Sequence, residues 1–589
     1  MTKTTTATTF TTATAAAAAE EVFQVLGHVF VPCMLGALIT TLPHVALVWK
    51  VTLAFILVAL HMNWPMLVDM WRYRHIPGPT PLPFIGNILD FTSQGMHTLY
   101  QSLEEKHGGA FKLFLGTSTL IVLPDVEAVR EVGLRKFSVF TNRPMPPEKL
   151  TNVLPTVQRE AQGFGILQAK DAYWKGIRAT SHHIFHSTET MAGFCPLMKE
   201  TADELARRLS DLQEGEVVDI WRALGDMTLD VVGTTVFGVR FNSVQNHGAD
   251  AVKASRLIFK NANVFNNNNP YLTLALVAPG FMGPAIKAAA EAFPTERMKE
   301  SAWANKVLRK ISDDMYDLAR KDIEKKEEEE EKEGHAKAAE APAGNGNAEG
   351  ESEYDYSGNS FLKLFLKGHN RATGKLLTKP EVTAQAFIFL LAGYETTANT
   401  LAYTIYMLAK HKDKEQLLLD EIDKLMRGGD VLPSAEELKD YKYLDAVLKE
   451  VLRYTGPATV IGRAASKDVE IQGNRLFKGT AVHLPIYSLH LNAEYFPSPE
   501  AFMPERFLES SAVFGEQNHK AFMPFGLGPR MCVAWSFALT EAKLALITLY
   551  SKFRFEHNPG HTFERTMGVT LSPTYGIEVI PIKRSVSGC

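Results

Sequence analysis

Residues 525–534 read FGLGPRMCVA, from Phe525 to Ala534. Gly526, Gly528 and Pro529 crowd into four positions and force a tight turn just ahead of Cys532. A lone cysteine beside such a turn is most simply a small buried hydrophobe. The other cysteines of the chain, Cys33, Cys195 and Cys589, are scattered and form no C-x-x-C pair. That spacing argues against a structural zinc site or a secreted disulfide framework and favours a reducing compartment. If Cys532 does chemistry it acts alone, as a nucleophile or as the single axial ligand of a metal.

Outward from this turn, the bulk numbers set bounds. With 589 residues, 46% of them hydrophobic and 22% charged, the chain is globular and long enough for one large domain or several smaller ones. The net charge of −4 conceals an asymmetry: Lys321–Ser360 carries 13 acidic and 5 basic residues, a local −8, and the remainder is near +4. No basic stripe with interleaved aromatics is present, so no nucleic-acid partner is expected.

The N-terminus organises into three parts. Residues 1–21 form a low-complexity Thr/Ala leader, readable as a tail or as a targeting peptide. Residues 22–71 are apolar enough to anchor the chain in a membrane, since about 20 apolar residues cross a bilayer. Pro32, Pro43, Asn63 and Pro65 interrupt the segment and leave one span or two open. Arg72 and Arg74 follow, which puts the rest of the chain on the cytoplasmic side. Then comes IPGPTPLPFIGNIL, Ile76–Leu89; Pro77, Pro79, Pro81 and Pro83 make residues 72–83 a stiff hinge.

The body, 84–589, patterns as mainly α with small β-sheets. Amphipathic helical runs cover 195–212, 225–240, 297–326, 380–410, 412–427 and 436–455, and β-like stretches lie at 110–123 and 468–484. Residues 325–360 hold too little apolar surface to fold and are expected to be a disordered acidic insertion.

Three further motifs stand out. AGYETT, Ala392–Thr397, puts an acid and two threonines in the middle of an apolar helix, which is costly unless they are partnered or working. A threonine hydroxyl there can bond the preceding turn, and acid plus hydroxyl in an apolar pocket suits a proton relay. Glu450 and Arg453 share a helix face, and Arg506 in PERF (504–507) could join them in a buried cluster. Trp174 and Arg178, in WKGIR, are an i,i+4 pair able to present an indole N–H and a guanidinium to one anion.

In this order and spacing the set resembles the cytochrome P450 family, from the membrane anchor to Arg584. FGLGPRMCVA is similar to that family's haem-binding loop, Phe-x-x-Gly-x-Arg-x-Cys-x-Gly. The strings IPGPTPLPFIGNIL, AGYETT and FMPFGLGPR look nearest to the microsomal drug-oxidising and thromboxane-synthase branch. PDVEAVREVGLRKF also resembles the plant branch that oxidises carlactone.

The resemblance implies a role for each motif. Cys532 would be the axial thiolate of haem b iron, a ligation that favours O–O cleavage. Phe525, Gly526 and Gly528 would shape the loop around the sulfur. Arg530, Trp174, Arg178 and Arg463 would meet the haem propionates. Thr396 and Glu395 would deliver protons, with the acid linking the hydroxyl to solvent. Glu450, Arg453 and Arg506 would form a structural triad. Ala534 departs from the pattern, standing where the family's glycine is usual; a slight effect on packing or potential is expected. The stretch ATSHHIFH after Arg178 is thin in fixed positive charge for a reductase docking surface.

The activity so implied is a monooxygenase inserting one oxygen atom from O2 into a lipophilic terpenoid, apocarotenoid, sterol or fatty-acid-like molecule. Electrons would come from NADPH through a separate NADPH-cytochrome P450 reductase, with cytochrome b5 as a second candidate donor, because the chain has no flavin or nicotinamide module. The endoplasmic reticulum membrane is the expected location, with the plastid envelope as the alternative. A haem-thiolate isomerase or dehydratase acting on a peroxide is the competing activity. Expected pocket walls are 145–165, 271–286, Phe387–Ala392, Ala458–Ile461 and Ser572–Tyr575, an apolar set.

Overall fold

In the computed structural model residues 47–584 are described, apart from 145–163, 247–249, 262–269, 279–281, 337–359, 367–368, 371–373, 427–432 and 517–518. The molecule is organised around one helix, Lys379–Lys410, which is buried along most of its length. A capping box starts it: Thr378 N–H donates to Glu381 at 2.8 Å, and Pro380 occupies the first turn, where no intrahelical N–H is needed. Helices Ile220–Val232, Glu296–Ala336, Lys442–Thr455 and Trp535–Lys552 pack against it. Their apolar faces form the main core with Phe185, Leu229, Tyr403, Leu448 and Leu546.

Helix termini sharpen the expected boundaries. The run expected from 195 begins at Thr188, because Ser187 accepts the Thr190 N–H and caps it. The run expected from 225 begins at Ile220, capped by Asp219, and ends in a wider turn at Gly233–Phe237.

The β-structure is small and lies beside this helical body. Phe111–Leu115 pairs antiparallel with Ser118–Val122, which runs parallel to Ala481–Leu484, which pairs antiparallel with Ile461–Ala464. Near the C-terminus a two-stranded hairpin joins Arg565–Met567 to Leu571–Pro573, in the register Thr566 to Ser572.

Two expectations need correcting. The insertion does not leave ordered structure at 325: the helix that starts at Glu296 runs on to Ala336. KKEEEEEKE offers nothing to a core, but Glu and Lys are strong helix formers, so a helix already nucleated below them propagates outward. Residues 337–359 lie outside the described residues. Nor do Asn63 and Pro65 interrupt the anchor segment where it is described: Leu47–Arg72 is one helix containing both. Asn63 caps no break; it donates to Ala59 O at 2.8 Å and accepts the Phe84 N–H at 2.7 Å, tying helix to hinge.

Among the described residues this is one helix long and apolar enough to cross a membrane, with 24 residues from Trp49 to Arg72 and a mean hydropathy of 1.8. The leader and residues 22–46 of the anchor segment lie outside the described residues. The hinge is held against the domain: Tyr73 and Ile76 are buried, and Lys112 Nζ donates to the carbonyls of Tyr73 (2.9 Å) and Ile76.

Candidate active site

The loop carrying Cys532 is built by its glycines. Gly526 and Gly528 adopt φ of 79° and 68°, the left-handed region that disfavours a side chain. At Gly528 space forbids one as well, since a Cβ would lie 2.1 Å from the Gly133 carbonyl oxygen. The turn Gly528–Arg530 closes with Met531 N–H on Gly528 O at 2.9 Å, and Cys532 N–H donates to Phe525 O at 2.9 Å. Cys532 thus sits deep among protein atoms while its side chain meets open space. Burial pushes the thiol up, and the Ala534 N–H, Arg178 and Arg143 oppose that push. Ala534 itself has φ −106°, which any L-residue adopts, so its methyl brings no backbone strain at the start of Trp535–Lys552.

Around this thiol stand four guanidinium groups. Arg530 stacks on Trp174, 4.1 Å from the ring centre, and donates to the carbonyls of Thr141 (2.9 Å), Ile166 (3.3 Å) and Ala169 (2.6 Å). Three of its five N–H groups are therefore spent on the protein. Arg178 donates to Met531 O, one residue from the thiol. Arg463, 1% exposed, donates to Gly462 O at 2.8 Å and leaves Nε without a partner. Arg143 Nε is likewise unpartnered and buried.

Among the described residues none of the four makes an ion pair. Burial first, then neighbouring arginines, hold Arg463 and Arg530 down at about 9. Arg143 was not singled out by sequence reasoning, since in FTNRP nothing marks it beyond its charge. Like charges gathered out of water are costly unless an anion joins them, so the cluster could hold an anion.

On the central helix, Ala392 and Thr396 are one turn apart, and both reach open space although the helix around them is buried. Thr396 Oγ1 donates back to Ala392 O at 2.6 Å, the bond expected of it. Glu395 does not link this hydroxyl directly to solvent. Glu395 is 6% exposed, and its carboxyl turns to the C-terminal hairpin, where Thr570 (2.7 Å) and Ser572 donate to Oε1. Burial pushes this carboxyl up, opposed by Ser572, Thr570 and Asn399. Thr570 had no sequence signal; only the strand register brings it here.

The structure also brings Glu450, Arg453 and Arg506 together. Arg453 grips Glu450 with Nε and NH2, both at 2.8 Å, and gives NH1 to His490 O at 2.9 Å. Arg506 Nε lies 3.4 Å from Glu450, and Met503 N–H donates to the same carboxylate at 2.9 Å. The three side chains are buried, so this is not the surface pair that E-x-x-R alone suggests. Beside the thiol loop a groove of about 600 Å³ is lined by residues that include Trp174, Lys175, Arg178, His182, His183 and Pro529.

The family model described as Cytochrome P450 matches residues 76–580. The chain is similar to "Cytochrome P450 3A41" of Mus musculus, 30% identical over 528 residues, covering 86% of this chain and 90% of that protein. It is likewise similar to "Cytochrome P450 3A6" of Oryctolagus cuniculus, 31% identical over 517 residues, covering 86% and 91%.

Proposed function

The chain belongs to the cytochrome P450 family, monooxygenases that bind haem b and take electrons from NADPH through a reductase, and from that premise we propose how its own residues serve the reaction. The observation that carries the reading is a deep thiol facing open space beside Arg143 and Arg178, which join Arg463 and Arg530 in a cluster that makes no ion pair among the described residues. A haem fits this donor set: a thiolate for its iron and guanidinium groups for its two propionates. When bound, the haem supplies the oxidising chemistry.

Everything else falls to the polypeptide. Cys532 would hold the haem iron, and the Ala534 N–H on its sulfur would temper how strongly it donates. Phe525, Gly526 and Gly528 hold the loop closed around it. Arg143, Arg178 and Arg463 would hold the propionates, while Arg530 and Trp174 chiefly fix the cradle, with two N–H groups of Arg530 left over. Thr396 orients a water at the open face of the central helix, and Glu395 supplies protons to it. Glu450, Arg453 and Arg506 lock the segment leading into the thiol loop and act on folding and haem retention.

The substrate is a lipophilic small molecule, of terpenoid, apocarotenoid, sterol or fatty-acid type, since Phe387–Ala392 and Ala458–Ile461 offer few polar groups. Leu274, Met282 and Phe293 are exposed, which suits a lipid-side entrance. The anchor helix, with Arg72 and Arg74 after it, supports a reading in which the domain faces the cytoplasm from the endoplasmic reticulum membrane, the plastid envelope being the alternative. The reductase, with cytochrome b5 as a second candidate, docks over the groove outside the thiol loop.

The test is a metabolite screen of membranes co-expressing the chain and a reductase, read by the mass gain of one oxygen. Products formed only from hydroperoxides, with no dependence on NADPH, would replace this reading with the peroxide isomerase.

A further inference from the structure

Asn399, one turn beyond Glu395 on the central helix, is a buried amide whose orientation can be assigned. Trp221 Nε1 lies 2.6 Å from Asn399 Oδ1. An indole N–H can only donate, so the amide oxygen faces Trp221 and the amide nitrogen faces the C-terminal hairpin. That nitrogen donates to Leu571 O and to Ser572 Oγ, each at 3.1 Å. Ser572 Oγ is therefore an acceptor toward Asn399, and its own proton is free to close on Glu395 Oε1. Thr570, 3.0 Å from Ser572, donates to the same oxygen at 2.7 Å. The hydroxyl protons of Thr570 and Ser572 thus both close on Glu395 Oε1. The other carboxyl oxygen, Oε2, is buried and has no hydrogen-bond partner among the described residues.

We propose that Trp221, Asn399, Thr570 and Ser572 are positioning residues for Glu395: they pin Oε1 to the hairpin, leave Oε2 as the oxygen that exchanges a proton, and set the pH range of that exchange. The proposal deepens the role given to Glu395 above and rests on it for its link to turnover. The physical reason is a balance. Burial favours the neutral carboxyl, and donors aimed at Oε1 favour the ionised one. Two tyrosines interact with the carboxyl without bonding it, and the other charged groups nearby reach those tyrosines or Thr397 instead. Tyr394 and Tyr403 lie on its own helix, Asp226 is paired with Arg256 at 2.7 Å, Arg565 is on the hairpin, and Glu541 reaches Thr397 from Trp535–Lys552. The hairpin hydroxyls are thus what the fold has placed to tune this acid.

The experiment uses the haem-loaded full chain in lipid nanodiscs with reductase. One readout is the infrared band of the protonated carboxyl, assigned by its loss in Glu395→Gln and followed against pH. The other is product formed per NADPH consumed, across the same pH range. Ser572→Ala should move the band midpoint upward by roughly one pH unit, the worth of one charge-assisted hydrogen bond. Ser572→Thr, which keeps the hydroxyl, should restore it. Trp221→Phe, which never touches the carboxyl, should move it the same way by less. A midpoint unmoved in Ser572→Ala overturns the proposal whatever turnover does. A midpoint that moves while the coupling profile stays fixed leaves the donor chain standing and removes Glu395 from proton delivery.

Discussion

Replacing Glu450 by Gln keeps the shape of the side chain and removes one negative charge from beneath two buried arginines. In the native protein that carboxylate receives Arg453 twice at 2.8 Å, Met503 N–H at 2.9 Å and Arg506 at 3.4 Å. Water cannot take over, because Glu450 and Arg453 have no exposed side-chain surface and Arg506 very little. Removing one partner of a buried pair costs about 3–5 kcal/mol, since the surviving charges stay desolvated. That is a large share of the roughly 5–15 kcal/mol by which a domain is stable. Arg240 and Glu200 supply the control: they too meet in a two-point grip at 2.8 Å, but both are well exposed. Glu200→Gln should cost less than about 1 kcal/mol. The assay is urea unfolding followed by the haem absorbance and by helical circular dichroism, each variant beside the native chain. Equal losses in the two variants would refute the argument that burial, and not the contact itself, gives the triad its weight.

Cys532→Ser should abolish the red-shifted Soret band of the ferrous CO complex; a band that survived would mean another residue holds the iron. Thr396→Ala should retain haem but divert electrons to peroxide, read as hydrogen peroxide released per NADPH, and undiminished coupling would remove its hydroxyl from the relay. Glu541 is buried with neither carboxyl oxygen hydrogen-bonded at close range, and burial holds it well above its ordinary value of 4.5. The folded state keeps the proton while the unfolded chain releases it, so stability is lost as pH rises above about 4.5. Glu541→Gln should therefore gain stability at pH 8 relative to pH 5 in urea unfolding, and a parallel shift at both values would contradict that.

How much was legible beforehand follows from where the information lies. The thiol loop, the relay threonine and the E-x-x-R pair are local strings, because tight turns and shared helix faces need particular residues at fixed offsets. Helix positions were legible from period, and their ends moved by several residues where a single capping side chain such as Ser187 or Asp219 decided them. What depended on distant segments was not legible. Arg143 joins Arg463 and Arg530 only once Asn142 pairs with Ala464 as an isolated β-bridge. Thr570 finds Glu395 across 175 positions of sequence. Trp174 was read as half of an anion clamp, yet its ring face is taken by Arg530, a contact that only the folded loop creates.

The unpaired arginines carry a last consequence, in which one substitution should have opposite signs in two states of the same chain. Arg463 is 1% exposed, its Nε lacks a partner, and burial with Arg143 beside it lowers its affinity for its own proton. Before haem enters, this charge is a liability, and an apolar side chain of similar length would relieve it. After haem enters, a propionate supplies the missing counter-charge, and ligand binding stabilises the fold in proportion to its affinity. Arg463→Met should therefore raise the thermal midpoint of the haem-free chain while lowering that of the haem-loaded chain and speeding haem transfer to apomyoglobin. An arginine serving structure alone would lower both midpoints together. That result would return Arg463 to the strand it sits on and leave the propionates to Arg143 and Arg178.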